Sequence, residues 1–393
     1  MLNRRSLRIK AMQNLYAFDR CKQSNFNIAM DQIKEAFAPD LNSMEKQDVQ
    51  ELNYKKNLAL KLFQENCNNA VINDKERASE DVRKAISDGI DFYHRQNKKD
   101  FEFFKKNMVA EVEKIEDRYL LMLVLLIDLA DYERFEYVEK KKLSENKEKV
   151  FQSDLNFYNN KIIDAFRKHQ EFQQKIIRKN IGWNNHKDIV KHLYKETMQQ
   201  DAEFAEYKKL PKPSLEDDSQ IVSHLVKNIF FKNEVLNTFM EENDINWEEN
   251  KSVVRSMVVR TLKTAQEEQT ADWPLAEYSV NWEDDKLFFM NLFSFTVQNE
   301  TDYENLVAKK SRNWDFERIA EIDKTILKIA ISEMINFPSI PVKVSINEYI
   351  DISKVYSTPK SRQFINGLLD VIADELVEKG QIKKSGRGLI DNK

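Results

Sequence analysis

IPVKVSINEYIDISKVYSTPKSRQFINGLLD, residues 340–370, decides how this chain is read. The stretch predicts two capped helices joined by a short turn. Pro338 and Pro341 stop whatever helix precedes them, because proline has no N–H to give and its ring clashes with the turn before it. Ser345, with Glu348 three residues on, has the pattern of a capping box, with Val344 and Tyr349 at the staple positions. Ile346, Ile350 and Val355 lie roughly along one side. Thr358 then reads as the cap of the second helix and Pro359 as its first residue. Phe364, Ile365, Leu368, Leu369, Ile372 and Leu376 form the apolar set of that helix. Gly367 falls inside it, at a cost of about 1 kcal/mol against alanine. Two readings stay open there: a neighbouring helix packed on the missing side chain, or the close approach of a ligand. Arg362, Gln363 and Asn366 crowd the first turns of this helix, where a guanidinium, amides and a helix N-terminus suit phosphates and base edges. Phe364 is either core or a stacking platform for an unpaired base.

Outward from this stretch, composition predicts an all-α protein. The 393 residues include only 6 glycines and 7 prolines, and 33% are charged. Sheets and nucleotide-binding loops consume glycine at their turns. Cys21 and Cys67 have no metal-ligand spacing, and His94, His169, His186, His192 and His224 are scattered. No metal or cofactor is expected, and no structural disulfide. The longest apolar run, Tyr119 to Ile127, ends at Asp128 and is too short to span a bilayer. The basic N-terminus lacks an apolar secretory core, so a cytoplasmic protein is expected. Net charge is −4, unevenly placed. Arg4, Arg5, Arg8, Lys10 and Arg20 face only Asp19 in residues 1–20, and residues 338–393 are also basic on balance. The body between is acidic. Anion binding is local, so the basic ends matter more than the total.

A first helix is predicted from Arg4 to Cys21, with Leu7, Ala11, Leu15 and Phe18 as its apolar stripe. Its arginines sit at the end where the helix dipole disfavours cations, which points weakly to an anionic partner. Lys208 to Ser219, with two prolines, reads as a boundary, and Pro274 marks another. Asp218–Trp247 and Asp285–Trp314 read as a repeat. Both begin with acids and an apolar helix and end in Asn-Trp, and an apolar helix follows each. The segments expected are residues 1–21, an arginine-rich helix; 22–210, an extra helical segment; 215–270, a helical repeat unit; 282–380, a C-terminal helical domain; and 381–393, a basic tail.

With these residues in view, the chain resembles the NusB family of transcription antitermination factors. NRRSLRIKAMQNLYAF (residues 3–18) looks like the family's arginine-rich first helix. NWDFERIAEIDKTILKIAISE, IPVKVSINEYIDISK and SRQFINGLLD follow the family's order and spacing. The resemblance covers only the two ends, so the chain looks like a long form with a large extra helical segment. It implies a NusB-like helical bundle and a non-enzymatic RNA-binding adaptor. In that family NusB pairs with NusE, a small-subunit ribosomal protein, and holds the boxA element of nascent ribosomal RNA for the elongating RNA polymerase. Carried over by motif, the RNA-binding residues are Arg4, Arg5, Arg8, Lys343, Arg362, Gln363, Phe364 and Asn366. The NusE-facing residues are Tyr16, Glu317 and Asp323. Ser6 stands where the family has a further basic residue, which implies fewer phosphate contacts and a shallower salt dependence.

Two rivals are weighed. NusB-like domains also occur as appendages of ribosomal RNA methyltransferases, but that chemistry needs a doubly wound domain with a glycine-rich loop, and the glycines here form none. A helical scaffold binding proteins alone is the alternative, with the acidic middle of the chain as its working surface.

Overall fold

The computed structural model describes residues 1–40, 42, 47–67, 78–143, 155–268, 273–311 and 319–390. Among these residues every regular element is helical, so the fold is all-α. The helices are α1 (Arg4–Ala36), α2 (Val49–Asn66), α3 (Glu80–Leu143), α4 (Lys161–Lys168), α5 (Gln170–Lys179), α6 (Lys187–His192), α7 (Ala202–Lys209) and α8 (Leu215–His224). They continue with α9 (Glu234–Asn243), α10 (Trp247–Glu267), α11 (Trp282–Gln298), α12 (Glu300–Lys310), α13 (Glu321–Asn336), α14 (Val342–Tyr356) and α15 (Pro359–Glu378). They gather into two compact units: a first of Met1–Ser6 with Ala110–Asp285, and a second of Leu7–Val109 with Lys286–Lys393.

In the second unit α1 does not stop at Cys21 as predicted. Its buried stripe continues through Asn25, Ala29 and Ile33. Asn25 is the reason the sequence misleads, because it is a buried amide rather than a polar stop. Its Nδ2 donates to Asn97 Oδ1 at 2.9 Å and to Asp100 Oδ2 at 2.7 Å, both on α3. Ala29 and Ile33 then pack with Leu62 and Phe63 of α2 and with Val82 and Ile86 of α3. A side chain at Gly89 would come within 2.9 Å of Ile33 Cδ1, so α1 and α3 approach closely where glycine permits it. Phe18 meets Phe101, Phe104 and Phe293 edge-on, with ring centroids 6.2, 6.0 and 6.0 Å away.

The middle helix of this unit is α13, buried from Thr325 to Met334. A helix buried on all sides should be apolar on all sides, yet this one carries Lys328 and Glu333 inside. Each is answered. Lys328 Nζ lies 2.8 Å from Asp19 Oδ2 and 3.3 Å from Glu304, and it also pairs with Glu300. Glu333 is gripped by the Arg8 guanidinium, with Nε to Oε2 at 2.7 Å and Nη2 to Oε1 at 2.8 Å. Ser345 Oγ donates to the same carboxylate at 2.7 Å and Tyr349 Oη at 2.9 Å. The four side chains tie α1, α13 and α14 together at one buried point. Burial works against the Arg8 charge, but the Glu333 carboxylate outweighs it and raises the guanidinium pKa.

That network corrects the predicted capping box. α14 begins at Val342, four residues earlier than a Ser345 cap implies, with Pro341 at its N-cap and no side-chain cap. Ser345 and Glu348 therefore lie inside the helix. Ser345 spends its hydroxyl on Glu333, so a buried tertiary partner replaces the local one. α15 starts as read, with Thr358 accepting from Ser361 N at 3.3 Å and Pro359 in the first turn. Beyond α15 the expected tail folds back. Ser385 N donates to Pro338 O at 3.0 Å and Lys384 Nζ to Phe337 O at 3.1 Å.

In the first unit the run helix, π-turn, 3-10 turn occurs twice. α6 continues into a π-turn at Leu193–Thr197 and a 3-10 turn at Met198–Gln200; α8 continues into Leu225–Ile229 and Phe230–Lys232. The underlying sequences are IVKHLYKETMQQ (189–200) and IVSHLVKNIFFK (221–232). In both, the next helix is capped by a carbonyl side chain: Asp201 accepts from Phe204 N and Asn233 from Leu236 N, each at 2.9 Å. The predicted Trp-to-Trp repeat is a longer one, and its second end, Trp314, lies outside the described residues.

Glu333→Ala would strand the buried Arg8 charge and two hydroxyl donors. The expected loss is about 3–5 kcal/mol in urea unfolding; a midpoint equal to wild type would show that the network does not hold these helices.

Candidate nucleic-acid interface

α15 presents its first turns to solvent. Ile365, Leu368, Leu369 and Ile372 are buried and fix its rotation. Arg362, Gln363, Asn366 and Gly367 are consequently exposed, and Phe364 is half-buried. No heavy atom lies within 4 Å of where a Gly367 Cβ would stand. Of the two readings of this glycine, packing against a neighbouring helix therefore fails. The helix carries a bare strip of backbone, with a guanidinium and two amides beside it, facing open solvent. Lys343 is exposed on the first turn of α14.

The other expected RNA residues are placed differently. Arg5 is exposed in the first turn of α1. Arg4 pairs with Asp284 Oδ2 at 2.8 Å and with Asp285 Oδ1 at 3.0 Å, both in its own unit. Arg8 departs from the expectation: it is 3% exposed and its guanidinium is committed to Glu333. A phosphate could reach it only by breaking that buried pair. The resemblance assigned it to the RNA face, and nothing local points to the carboxylate that holds it 325 residues away.

For the expected partner face, Tyr16 is exposed, with the Arg20 guanidinium 5.5 Å from its ring centroid. Arg20 also pairs with Glu321 Oε2 at 2.7 Å. Burial alone would raise the Glu321 carboxyl, but Lys324 and Arg20 hold it below the usual value. Arg20 and Glu321 were not singled out in the sequence, although Arg20 stands one helical turn beyond Tyr16. Asp323 is 4% exposed and accepts a hydrogen bond from Ser357 Oγ at the end of α14. Its role is to fasten α14 to α13, so it is not available as a surface contact. Glu317 lies outside the described residues. Among the described residues no group of His, Cys, Asp and Glu could hold a metal ion, and no helix is long and apolar enough to cross a membrane.

Residues 252–374 match the NusB family model. The chain is 46% identical over 106 residues to a protein named transcription antitermination protein NusB from Chloroherpeton thalassium, covering 27% of this chain and 50% of that protein. It is 41% identical over 103 residues to the protein of the same name from Salinibacter ruber, covering 26% and 64%. The counterpart from Natranaerobius thermophilus is 38% identical over 89 residues, covering 23% and 64%. The chain thus spans between half and two thirds of the length of these curated relatives. No solved structure matches it.

Gly367→Ala is expected to stabilise the protein by up to about 1 kcal/mol, since the added methyl meets nothing and the helix gains propensity. Asp323→Ala should cost roughly 1–3 kcal/mol by leaving Ser357 without its acceptor. Urea titrations of both variants check this; a destabilised Gly367→Ala or an unaffected Asp323→Ala would contradict the placement.

Proposed function

We propose that this chain, which carries a NusB-family domain at residues 252–374, acts as a non-enzymatic RNA-binding transcription antitermination factor. The observation that carries the reading is the exposed α15 strip. Gly367 costs helix stability and receives no packing in return, which is intelligible if a ligand lies over it.

The chemistry of the strip fits a single strand. Arg362 and Lys343 offer charge to phosphates. Gln363 and Asn366 offer amides, which both donate and accept, to exposed base edges. Phe364 is half-buried, and base–aromatic stacking, where its ring meets a base, is sequence-tolerant. The bare backbone at Gly367 lets the strand approach closely. Arg4 and Arg5 are carried over to RNA binding by the resemblance alone. Arg8 does not belong to this set.

In this reading the RNA is the boxA element of nascent ribosomal RNA, and NusE, a basic small-subunit ribosomal protein, is the protein partner within the elongation complex with RNA polymerase. Tyr16 is the accessible member of the carried-over partner face. The exposed Glu321 beside Arg20 is an acidic group a basic protein could use.

Fluorescence anisotropy with a boxA single strand, purified NusE present, tests the proposal. Arg362→Ala should weaken binding and reduce the slope of log affinity against log salt by about 0.7, one phosphate contact. Gln363→Ala and Asn366→Ala should blunt discrimination against a scrambled strand with the slope kept. Gly367→Ala should weaken binding although the fold is firmer. Wild-type affinity in all four would remove the RNA face and favour a scaffold that binds proteins alone.

A further inference from the structure

The second half of α15 carries a different surface. Asp370, Ala373, Asp374, Val377 and Glu378 fall on one helical face, since residues three and four apart are neighbours. That face forms one wall of a groove of about 480 Å³. Val342, Lys343 and Ile346 of α14 form the opposite wall, and the folded-back C-terminal segment closes one side with Ile382, Lys384, Gly388 and Leu389. The lining mixes apolar side chains with polar ones, and the α15 rim is acidic.

The segment is built to stay there. Gly388 is buried, and a Cβ on it would stand 2.0 Å from Pro338 O, so only glycine lets the segment lie this close. Ile382 is buried, and Ser385 N and Lys384 Nζ bond the carbonyls of Pro338 and Phe337. The groove is therefore completed by the segment from Ile382 to Leu389. Leu389 is half-exposed at its edge and Ile390 is 70% exposed beyond it, so apolar surface continues past the lip.

Asp370, Asp374 and Glu378 are exposed, and among the described residues they have neither hydrogen-bond nor ion-pair partners. They repeat every four residues over about 12 Å of helix. Three unanswered carboxylates against two lysines repel a phosphate chain and attract a cationic one. A trough between helices, lined in part by apolar side chains and with charge along one edge, takes an amphipathic helix whose apolar face lies in the trough.

We propose that the groove between α14, α15 and the C-terminal segment docks a basic amphipathic helix of a protein partner. The groove borders the RNA surface at Lys343, but the proposal does not depend on that reading. Its occupant carries apolar side chains at helical spacing on one face and Lys or Arg along the adjoining edge.

The test uses the full chain and a fluorescein-labelled amphipathic leucine–lysine peptide, with a scrambled isomer of the same composition and a leucine–glutamate counterpart. The expected result is saturable binding of the amphipathic peptide, roughly tenfold weaker for the scrambled isomer and undetectable for the acidic one. Asp374→Lys with Glu378→Lys should weaken binding at least about tenfold while circular dichroism and melting stay near wild type. Gly388→Val, which forces the segment off Pro338, should do the same. A wild-type chain that ignores the peptide, a scrambled isomer that binds equally, or charge-reversed variants that bind as wild type would each overturn the proposal.

Discussion

The second unit hangs on a buried ion pair. Arg8 reaches from α1 into the side of α13 and meets Glu333 with two hydrogen bonds. Removing two charges from water costs several kcal/mol per ion, and only good geometry with every remaining lone pair answered brings the cost back. Here the geometry is bidentate, and the hydroxyls of Ser345 and Tyr349 supply the answers. A hydrophobic replacement could hold the helices as firmly. What the pair adds is register: the carboxylate accepts from Arg8 of α1 and from two hydroxyls of α14, so sliding α14 along α13 by one turn would unmatch both hydroxyls. The same helix handles its other buried charge likewise, with Lys328 set among Asp19, Glu300 and Glu304.

Registered in this way, α14 and α15 divide their surface by chemistry. The first turns of α15 expose a guanidinium, two amides and bare backbone; its last turns expose carboxylates beside an apolar groove. One helix can serve two ligands of opposite charge because the two faces lie at different heights and present opposite signs. Gly367 and Gly388 stand at the two sites for different reasons. Gly367 has nothing near it, and the proposed RNA contact is what would give it a use. Gly388 is pressed on Pro338, and its value is intramolecular.

What was legible in the sequence is what local physics controls. The helical class followed from scarce glycine, and Thr358 and Pro359 started α15 where they should, because capping is decided within a few residues. Ser345 was misread for the same reason: its local pattern is a cap, but a buried carboxylate twelve residues upstream competes for the hydroxyl and wins. The first helix was expected to end at Cys21, and Asp323 was expected on the surface; Asn25, beyond that expected end, and Asp323 are each buried against a partner far along the chain. Arg8 is the sharpest case. Its residue type and company suggested phosphate, and only the fold reveals Glu333. The doubled π-turn run in the first unit is marked in sequence only by the short His-Leu pair at 192–193 and 224–225, which a comparison of Asn-Trp ends does not pick up.

The central claim is that RNA lies over the start of α15 while Arg8 and Glu333 stay buried as scaffold. Hydrogen exchange on the full chain, with and without a boxA single strand at saturation, tests it most directly. The account predicts slower exchange for amides between Pro359 and Gly367 and in the first turn of α14, with the already protected α13 unchanged. RNA that binds while these amides exchange as before, or that loosens α13 around Glu333, would contradict it.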